Sequence, residues 1–512
     1  MGRRVPCRGF AASVLTRVDG VVEVRTTGPV ARRPEIRLTT TDPLDVLHQT
    51  FGHAAFRGRQ RAVIDRVLGG GHALVLAPTG GGKSLCYQVP ALCRPGVAVV
   101  LSPLIALMKD QVDALARRGV AATYVNSSLG RREREARYAG LAAGAYRLLY
   151  VTPERFRKPD FNAALDAADV SLLAVDEAHC ISQWGHDFRP DYSRLAEIRE
   201  RLGRPVTVAL TATATPAVQA DIRRQLGLTE CQMPAFHEGI DRPNLTLDVE
   251  DIYDEDDKLD AVRRCAAAAG PGVIVYFALI RTLRSFSERL RAAGFPHLNY
   301  HGELDRRQRR DVQDDFTAGR APAVLATNAF GMGIDKADVR AVVHAELPGS
   351  LESYYQEIGR AGRDGAPARC TLLYDQRDLA TQMEFLRWAH PDAGFYRRTL
   401  DLIEHDGERV HAEGLEYLRR KLLDRRWRHD RRLDTALAML ERHGVLSRDS
   451  DWRDEDHVRL EVVGDLPAAL TDDAVLAARR RAGQEKLLAL VNYAKRPDDA
   501  ARKAFLNDYF GV

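Results

Sequence analysis

The chain has 512 residues and a mass of 57.0 kDa, more than one hydrophobic core usually serves, so we expect about three structural units. Its 45% hydrophobic and 29% charged residues exclude an intrinsically disordered protein, and no apolar run approaches the roughly 18 residues of a membrane-spanning helix, so we predict no membrane association. The net charge of +4 is nearly balanced, so any affinity for nucleic acid must come from local clusters.

The first 40 residues carry eight arginines against three acidic residues and show little apolar periodicity after Val24. We predict that residues 1–40 form a basic, mobile extension; an over-long start assignment is the alternative. The apolar run Phe10–Thr16 is too short for a good secretory signal. The seven cysteines include no Cys-x-x-Cys pair, which favours free thiols in a reducing compartment and a cytoplasmic location, at the nucleoid if the source is bacterial.

Between residues 41 and 238, short apolar runs rich in β-branched residues alternate with helical stretches. Strands are predicted at Ala73–Leu76, Val97–Leu101, Arg147–Val151, Leu172–Val175 and Val206–Leu210. Continuous apolar strands separated by helices predict a parallel sheet covered on both faces.

A glycine-rich segment, Ala77–Ser84, follows the first of these strands and is here called the phosphate loop. Glycines let backbone N–H groups converge on phosphate oxygens, Lys83 can reach the outer phosphates, and Ser84 can ligate Mg²⁺. The predicted nucleotide-binding residues of this loop are Thr79, Gly80, Gly81, Gly82, Lys83 and Ser84. The alternative is a glycine-rich turn that binds no ligand.

An acidic pair, Asp176 and Glu177, directly follows the predicted strand Leu172–Val175. We predict that Asp176 holds Mg²⁺ together with Ser84, and that Glu177 orients and deprotonates an attacking water. The pair therefore predicts nucleotide hydrolysis rather than binding alone; a solvated acidic loop is the alternative.

The alternation of strands and helices resumes after the acidic stretch Asp251–Asp257, so we predict a second domain of the same architecture over residues 239–377. Its strands are predicted at Gly272–Phe277, His297–Tyr300, Ala323–Ala326, Ala341–Ala345 and Thr371–Tyr374. Two arginines, Arg360 and Arg363, are three residues apart, share one face of a predicted helix and can aim together at a γ-phosphate across a cleft. Arg363 is the predicted arginine finger; a solvated surface arginine is the alternative.

Residues 378–512 show helical periodicity in place of the strand pattern. Leu433–Leu446 followed by Val458–Val463 predicts a small winged-helix-like element. Arg419–Arg432 contains eight basic residues against two aspartates, and both a solvated helix and a phosphate-binding surface remain open for it.

Taken together, these motifs resemble those of superfamily 2 helicases, and specifically those of the RecQ family. The segment Phe51–Gln60, here called the base-reading segment, resembles the family's adenine-reading motif, which implies that Arg57 and Gln60 contact the nucleotide. Ser102–Gln111 and Thr152–Arg155 resemble its strand-tracking motifs, and Thr211–Ala214 resembles its coupling motif. The resemblance implies two tandem RecA-like domains followed by a mainly helical C-terminal unit.

Further RecQ-like motifs imply residues that bind DNA or couple it to the nucleotide. Asp176–Pro190 resembles the family's DNA-sensing loop, although the two aromatic residues in it can also be read as core residues. Asn328–Lys336 resembles the motif that bridges nucleotide and strand, and Tyr300–Leu304 resembles a DNA-facing motif. The implied DNA-binding residues are Trp184, His186, Phe188, Arg189, Lys109 and His301. Asp335 and Gln356 are implied at the nucleotide.

The chain departs from the RecQ pattern at two places. Tyr276–Arg281 stands where the family commonly has a cysteine and a serine before the arginine. Ala500–Gly511 resembles the first ligand region of the family's four-cysteine zinc module, but Ala501 stands where the cysteine would be. We therefore predict a degenerate module without zinc.

The resemblance implies an ATP-dependent DNA helicase that uses ATP and Mg²⁺, moves 3′ to 5′ along single-stranded DNA and unwinds duplexes in repair or recombination. Expected partners are single-stranded and tailed duplex DNA and a single-strand-binding protein, and the expected state is a monomer. One alternative is a DNA-stimulated translocase that unwinds weakly. Another is a non-catalytic DNA-binding scaffold, which the intact Lys83, Asp176, Glu177 and Arg363 argue against.

Overall fold

The computed structural model describes residues 14–18, 21–25, 42–78, 80–103, 105–181, 192, 194–331, 336–423, 430–448 and 459–511. The chain divides into two units, residues 1–39 and 40–512. In the first unit, β1 (Val14–Val18) pairs antiparallel with β2 (Val21–Arg25). Mobility of the rest of this unit stays a prediction.

The second unit begins with a seven-stranded sheet in which every pair of neighbouring strands is parallel. Its strands are β3 (Ala73–Leu76), β4 (Val97–Leu101), β5 (Ala122–Val125), β6 (Leu148–Val151), β7 (Val170–Val175), β8 (Val206–Thr211) and β9 (Ala235–His237), in the order β5-β6-β4-β7-β8-β3-β9. Its helices are α1 (Pro43–Val46), α2 (Gln60–Leu68), α3 (Leu85–Cys93), α4 (Ile105–Arg117), α5 (Arg131–Ala142), α6 (Pro159–Asp166), α7 (Leu195–Arg201) and α8 (Pro216–Gln225). A π-helical turn spans Leu47–Phe51, and 3₁₀ turns span Pro153–Arg157 and Ala178–Ile181.

The five strands that the sequence predicts in this sheet are confirmed. They were predictable because they lie in the interior of the sheet. Every residue of β3, β4 and β6 is buried, as continuous apolar runs require in a parallel sheet covered on both faces. The two strands without a prediction, β5 and β9, lie at the edges of the sheet and are only partly buried, so their apolar pattern is weak.

A second, six-stranded parallel sheet follows, in the order β10-β15-β14-β11-β13-β12. Its strands are β10 (Leu245–Asp251), β11 (Val273–Tyr276), β12 (Leu298–Tyr300), β13 (Ala323–Ala326), β14 (Ala341–His344) and β15 (Ala368–Tyr374), and its helices are α9 (Glu255–Ala269), α10 (Ile280–Ala292), α11 (Arg306–Thr317) and α12 (Leu351–Ile358). The acidic stretch between the halves ends in the first turn of α9, where Asp254 caps the helix by accepting from the Asp257 N–H at 2.8 Å.

The C-terminal unit is mainly helical, as predicted. It contains α13 (Asp378–Ala389), α14 (Ala393–His405), α15 (Gly407–Glu413), α16 (Leu415–Leu422), α17 (Arg432–Arg442), β16 (Leu446–Arg448), β17 (Leu460–Val462), α18 (Ala468–Thr471), α19 (Asp473–Ala494) and α20 (Asp499–Phe510). Helix α17 leads into the antiparallel pair β16–β17, and both share a hydrophobic core with α14 and α16. Helix α17 and this strand pair lie where the sequence predicts a winged-helix-like element, and they carry that name below.

The second half of α19 and helix α20 pack on the second sheet, whereas Leu476 near the start of α19 packs against the core of the winged-helix-like element. The Tyr493 hydroxyl lies 3.0 Å from the Tyr354 hydroxyl, and both rings are buried. Asp499 accepts from the N–H of Leu247 at 2.8 Å, and Arg502 donates to the Leu247 carbonyl at 3.0 Å. Helix α20 therefore lies against the edge strand β10 and pairs both backbone groups of Leu247. No helix among the described residues is long and apolar enough to cross a bilayer.

Candidate active site between the two sheets

The phosphate loop connects β3 to α3 at the carboxyl end of the first sheet. Gly80 and Gly82 have φ values of +82° and +74°, which residues other than glycine rarely adopt. Lys83 donates from Nζ to the carbonyl of Ala77 at 3.0 Å, so its ammonium lies over its own loop. Thr79 lies outside the described residues.

The base-reading segment is fastened to this loop by a buried glutamine at the start of α2. Gln60 is 3% exposed and donates from Nε2 to the carbonyls of Gly81, at 3.1 Å, and Gly82, at 3.3 Å. Its Oε1 accepts from the Arg57 N–H at 3.0 Å, while the side chain of Arg57 is exposed. The resemblance implied a base contact for Gln60, but it did not predict this bridge to the loop.

The acidic pair lies beside the loop, directly after β7. The Asp176 N–H donates to the Leu101 carbonyl at 2.8 Å, and its Oδ1 accepts from the Glu177 N–H at 3.0 Å. Burial and the neighbouring charge of Glu177 raise the pKa of Asp176 to about 7, against the opposing effect of Lys83. A partly buried carboxylate whose charge is disfavoured in this way provides a hard oxygen ligand, and a divalent cation bound to it would stabilise the charge.

Glu177 is held in a strained backbone conformation, with φ at +48°. Its Oε2 is buried and has no hydrogen-bond partner among the described residues, although Nδ1 of His179 is 3.4 Å away. A buried carboxylate oxygen without a partner is costly in a folded protein, which suggests that a water or ligand occupies this position.

His179 links the acidic pair to the predicted coupling motif. Its Nδ1 lies 3.0 Å from Oγ1 of Thr211, and that oxygen also accepts from the Thr213 N–H at 3.1 Å. His179 is 1% exposed, so the link lies in the interior of the domain.

An arginine from the second sheet lies against the phosphate loop. A Cβ atom built on Gly80 would be 3.5 Å from Cγ of Arg363, an ordinary van der Waals contact. Helix α12 ends at Ile358, so Arg360 and Arg363 lie beyond it, in a turn that we call the arginine turn, Gly359–Ala366. The prediction that both arginines share a helix face is therefore wrong.

The two arginines also point to different places. Arg360 is 7% exposed and donates to the carbonyl of Gly331, in the loop after β13. Of these two arginines, Arg363 is the one that lies against the described glycines of the phosphate loop. Gln356 is partly buried on α12, three residues before the arginine turn.

The arginine turn is supported by two residues that sequence reasoning missed. Arg242 donates to the carbonyls of Ala361, at 2.7 Å, and Gly362, at 2.9 Å. Asn244 donates to Gly362 and Ala366, both at 2.9 Å. The only local signal was a short polar segment around Pro243 between the two halves.

The residues expected at DNA divide into three groups. Lys109 is exposed on α4 and pairs with Asp113 at 2.7 Å. His301 is 4% exposed, and burial together with Arg284 lowers its pKa, so it does not present a surface to a strand in this conformation. Trp184, His186, Phe188 and Arg189 lie outside the described part of the chain, and so does Asp335, which was expected at the nucleotide.

Nothing in the described residues brings three histidine, cysteine, aspartate or glutamate side chains together as a metal site. Ala501 lies in the first turn of α20. The absence of zinc stays a prediction.

Comparisons with known proteins agree with this architecture. The DEAD/DEAH box helicase model matches residues 57–222, and the helicase conserved C-terminal domain model matches residues 257–365. The helicase Lhr of Mycobacterium smegmatis, solved with ssDNA and AMP-PNP, superposes with a TM-score of 0.53 at 20% identity, covering 86% of this chain and 62% of that one. At this identity the likeness concerns the fold alone. The fold and the matched regions define a protein of the helicase class with two RecA-like domains.

Two relatives narrow the class. An ATP-dependent DNA helicase RecQ of Pasteurella multocida is 45% identical over 347 residues, which cover 68% of this chain and 54% of that protein. A probable ATP-dependent DNA helicase RecS of Bacillus subtilis is 38% identical over 367 residues, which cover 71% and 73%. The chain belongs to the RecQ family of helicases, and it spans about half the length of the Pasteurella relative.

Proposed function

We propose that the protein is an ATP-dependent DNA helicase that couples ATP hydrolysis to 3′–5′ movement along single-stranded DNA and to duplex unwinding, in DNA repair or recombination. The observation that carries the proposal is the position of Arg363, from the second sheet, against Gly80 of the phosphate loop on the first. The separation of the two domains can depend on ATP hydrolysis only if both domains contact the same nucleotide.

In this proposal the phosphate loop and Lys83 bind the phosphates of ATP, and Gln60 and Arg57 contact its base. Ser84 and Asp176 would hold Mg²⁺, which would neutralise charge on the phosphate oxygens. The partly buried Asp176 suits this cation, because the positive charge would offset the desolvation and the neighbouring carboxylate that raise the pKa of Asp176.

Hydrolysis then needs an activated water, and Glu177 is the proposed base. Its Oε2 is buried without a hydrogen-bond partner in the described part of the chain, so an acceptor is available beside the phosphate loop. The water oxygen attacks the γ-phosphorus and a water proton passes to Glu177, while the bond to the bridging oxygen breaks and its electron pair leaves with ADP. The products are ADP, inorganic phosphate and a proton, and Arg363 stabilises the charge that develops.

Positive charge beside the second sheet supports DNA as the polymer. Arg431, Arg479 and Lys486 line a cavity of about 570 Å³ between this sheet and the C-terminal helices, which Glu346 and Glu357 also line, so the lining carries a small excess of positive charge. A phosphate-bearing strand complements this charge. We propose contacts to single-stranded and tailed duplex DNA here, at Lys109 and at the sensing loop, with a single-strand-binding protein as partner and a cytoplasmic location.

A DNA-stimulated translocase that unwinds weakly is the second candidate, because Ala501 replaces a ligand of the zinc module. Two assays distinguish the helicase, the translocase and the non-catalytic DNA-binding scaffold. They are ATP turnover with and without single-stranded DNA, and strand displacement on a 3′-tailed duplex. We expect DNA-stimulated turnover and strand displacement, and no turnover by Lys83→Ala. Stimulated turnover without displacement favours the translocase, whereas DNA binding without turnover favours the scaffold.

A further inference from the structure

Seven residues, Glu238–Asn244, connect β9 of the first sheet to β10 of the second and are here called the linker. Its first residue is fastened to the nucleotide side of the first domain. The Glu238 N–H donates to the Leu76 carbonyl at 2.8 Å, and Glu238 Oε1 accepts from the Arg59 N–H at 2.6 Å. A Cβ on Gly58 would lie 1.7 Å from Glu238 Oε2, so a larger residue at this position would displace the Glu238 carboxylate. The linker thus begins against the base-reading segment.

The linker is fastened to the second domain two residues later. The Ile240 carbonyl accepts from the hydroxyl of Tyr355, on α12, at 2.8 Å. Gly239 stands between the two attachments with φ at +77°. A glycine between two fixed points can absorb a rotation of one domain against the other, as hinge residues do.

The far end of the linker holds the arginine turn by its backbone. Arg242 and Asn244 make four hydrogen bonds to three of its carbonyls, those of Ala361, Gly362 and Ala366. Gly362 has φ at +55°, and a Cβ there would lie 2.5 Å from Asn244 Nδ2. These carbonyls stand on both sides of Arg363 in the chain, so the linker helps to fix the backbone of Arg363, together with the hydrogen bonds from the Gly362 N–H to Val339 and from the Asp364 N–H to Ala337.

We propose that the linker couples the two halves of the nucleotide site, with Arg242 and Asn244 as positioning residues for Arg363. This inference rests on the proposed function. An arginine that stabilises developing charge works only within a narrow range of positions, and a displacement of about 1 Å can cost about a hundredfold in rate. Loss of these hydrogen bonds therefore acts on the chemical step more than on ATP binding.

The test is single-turnover ATP hydrolysis with saturating single-stranded DNA, together with fluorescent ADP titration, on the full chain. The variants are Asn244→Ala, Arg242→Lys, Arg363→Ala and the double variant Asn244→Ala/Arg363→Ala. Asn244→Asp is a second, nearly isosteric variant, whose oxygens cannot donate to the two carbonyls. Arg369→Gln is the matched control, since this exposed arginine pairs with Asp248 at 3.3 Å on the same sheet.

Asn244→Ala and Asn244→Asp should lower the hydrolysis rate constant by about 10- to 100-fold, with ADP affinity within about threefold of wild type. Arg242→Lys retains a hydrogen-bond donor, so its hydrolysis rate constant should fall less. Arg369→Gln should hydrolyse ATP at the wild-type rate. The double variant should be no slower than Arg363→Ala, because Asn244 acts through Arg363.

Three results would overturn the proposal: unchanged hydrolysis by both Asn244 variants, equal losses of ADP affinity and rate, or additive losses in the double variant. Each leaves the proposed function intact if the wild-type protein hydrolyses ATP on DNA. A wild-type protein without DNA-stimulated hydrolysis would overturn the proposed function as well.

Discussion

The substitution Gly82→Ala tests the phosphate loop most directly, because the structure predicts the size of its effect. Gly82 has φ at +74°, and a left-handed backbone costs alanine about 1–2 kcal/mol. The new Cβ would lie 2.7 Å from Gln60 Nε2, so the amide must move and lose its hydrogen bonds to Gly81 and Gly82, at about 1 kcal/mol each. The loop conformation is therefore destabilised by about 3 kcal/mol.

This cost should appear as lost nucleotide affinity. The variant loop relaxes to a conformation that does not cradle phosphates, and binding must restore the original one, so we expect ADP affinity to fall about a hundredfold. Fluorescent ADP titration measures the effect. Gly144→Ala is the control, since Gly144 has φ at +66° and open space around it, far along the chain from the loop. It should lower stability by about 1 kcal/mol and leave ADP affinity unchanged.

Gly80→Ala provides an intermediate case. Its φ of +82° carries a similar strain, but the Cβ makes only an ordinary contact with Arg363 Cγ at 3.5 Å. We expect about a tenfold loss of ADP affinity.

If Gly82→Ala bound ADP within about threefold of wild type, the loop would not need this conformation, and its assignment to phosphate binding would be refuted.

Three further predictions concern stability and DNA. Tyr493→Phe removes the hydroxyl beside that of Tyr354 and should lower the free energy of unfolding by about 1–2 kcal/mol in urea titrations; an unchanged midpoint and slope would contradict the bond. Burial is the main cause, and nearby arginines the second, that lower the pKa values of His390 and His443 to about 4, below the value of about 6.5 in the unfolded chain. Unfolded chains therefore bind more protons, so stability should be full above about pH 6.5 and decline towards pH 4; an equal denaturation midpoint at pH 7 and pH 5 would refute this. Affinity for single-stranded DNA should fall with salt, with log K decreasing by roughly 0.7 per contacted phosphate for each tenfold increase, and a flat response would exclude phosphate-dominated binding.

The elements of both sheets were largely predictable from the sequence, and the exceptions have physical reasons. Interior strands such as Val97–Leu101 are buried on both faces, and their continuous apolar runs mark them. Strand β10 escaped prediction because it is an edge strand whose residues alternate between buried and exposed and include acidic residues. The N–H of Leu247 in this strand donates to the side chain of Asp499, 252 residues away, and no local pattern indicates that contact.

His301 illustrates the limit of motif transfer. Its motif follows β12, and the resemblance placed it at DNA, yet the side chain is buried. A motif indicates which segment lies near a ligand, whereas the direction of each side chain depends on the packing around it. The role of His301 at DNA stays a prediction.

The sequence by itself determined the local chemistry of the first domain. A buried strand, a glycine-rich turn and a helix start are consecutive in the chain, and so are the strand Leu172–Val175 and its acidic pair, because a phosphate-binding loop is built from neighbouring residues. Only the tertiary structure decided which arginine meets that loop and what holds it there. Arg363 reaches Gly80 from the other sheet, and Arg242 and Asn244 support its turn from more than a hundred positions away. Such contacts join residues that are distant in the chain and depend on how the two sheets pack together, so no local sequence pattern indicates them.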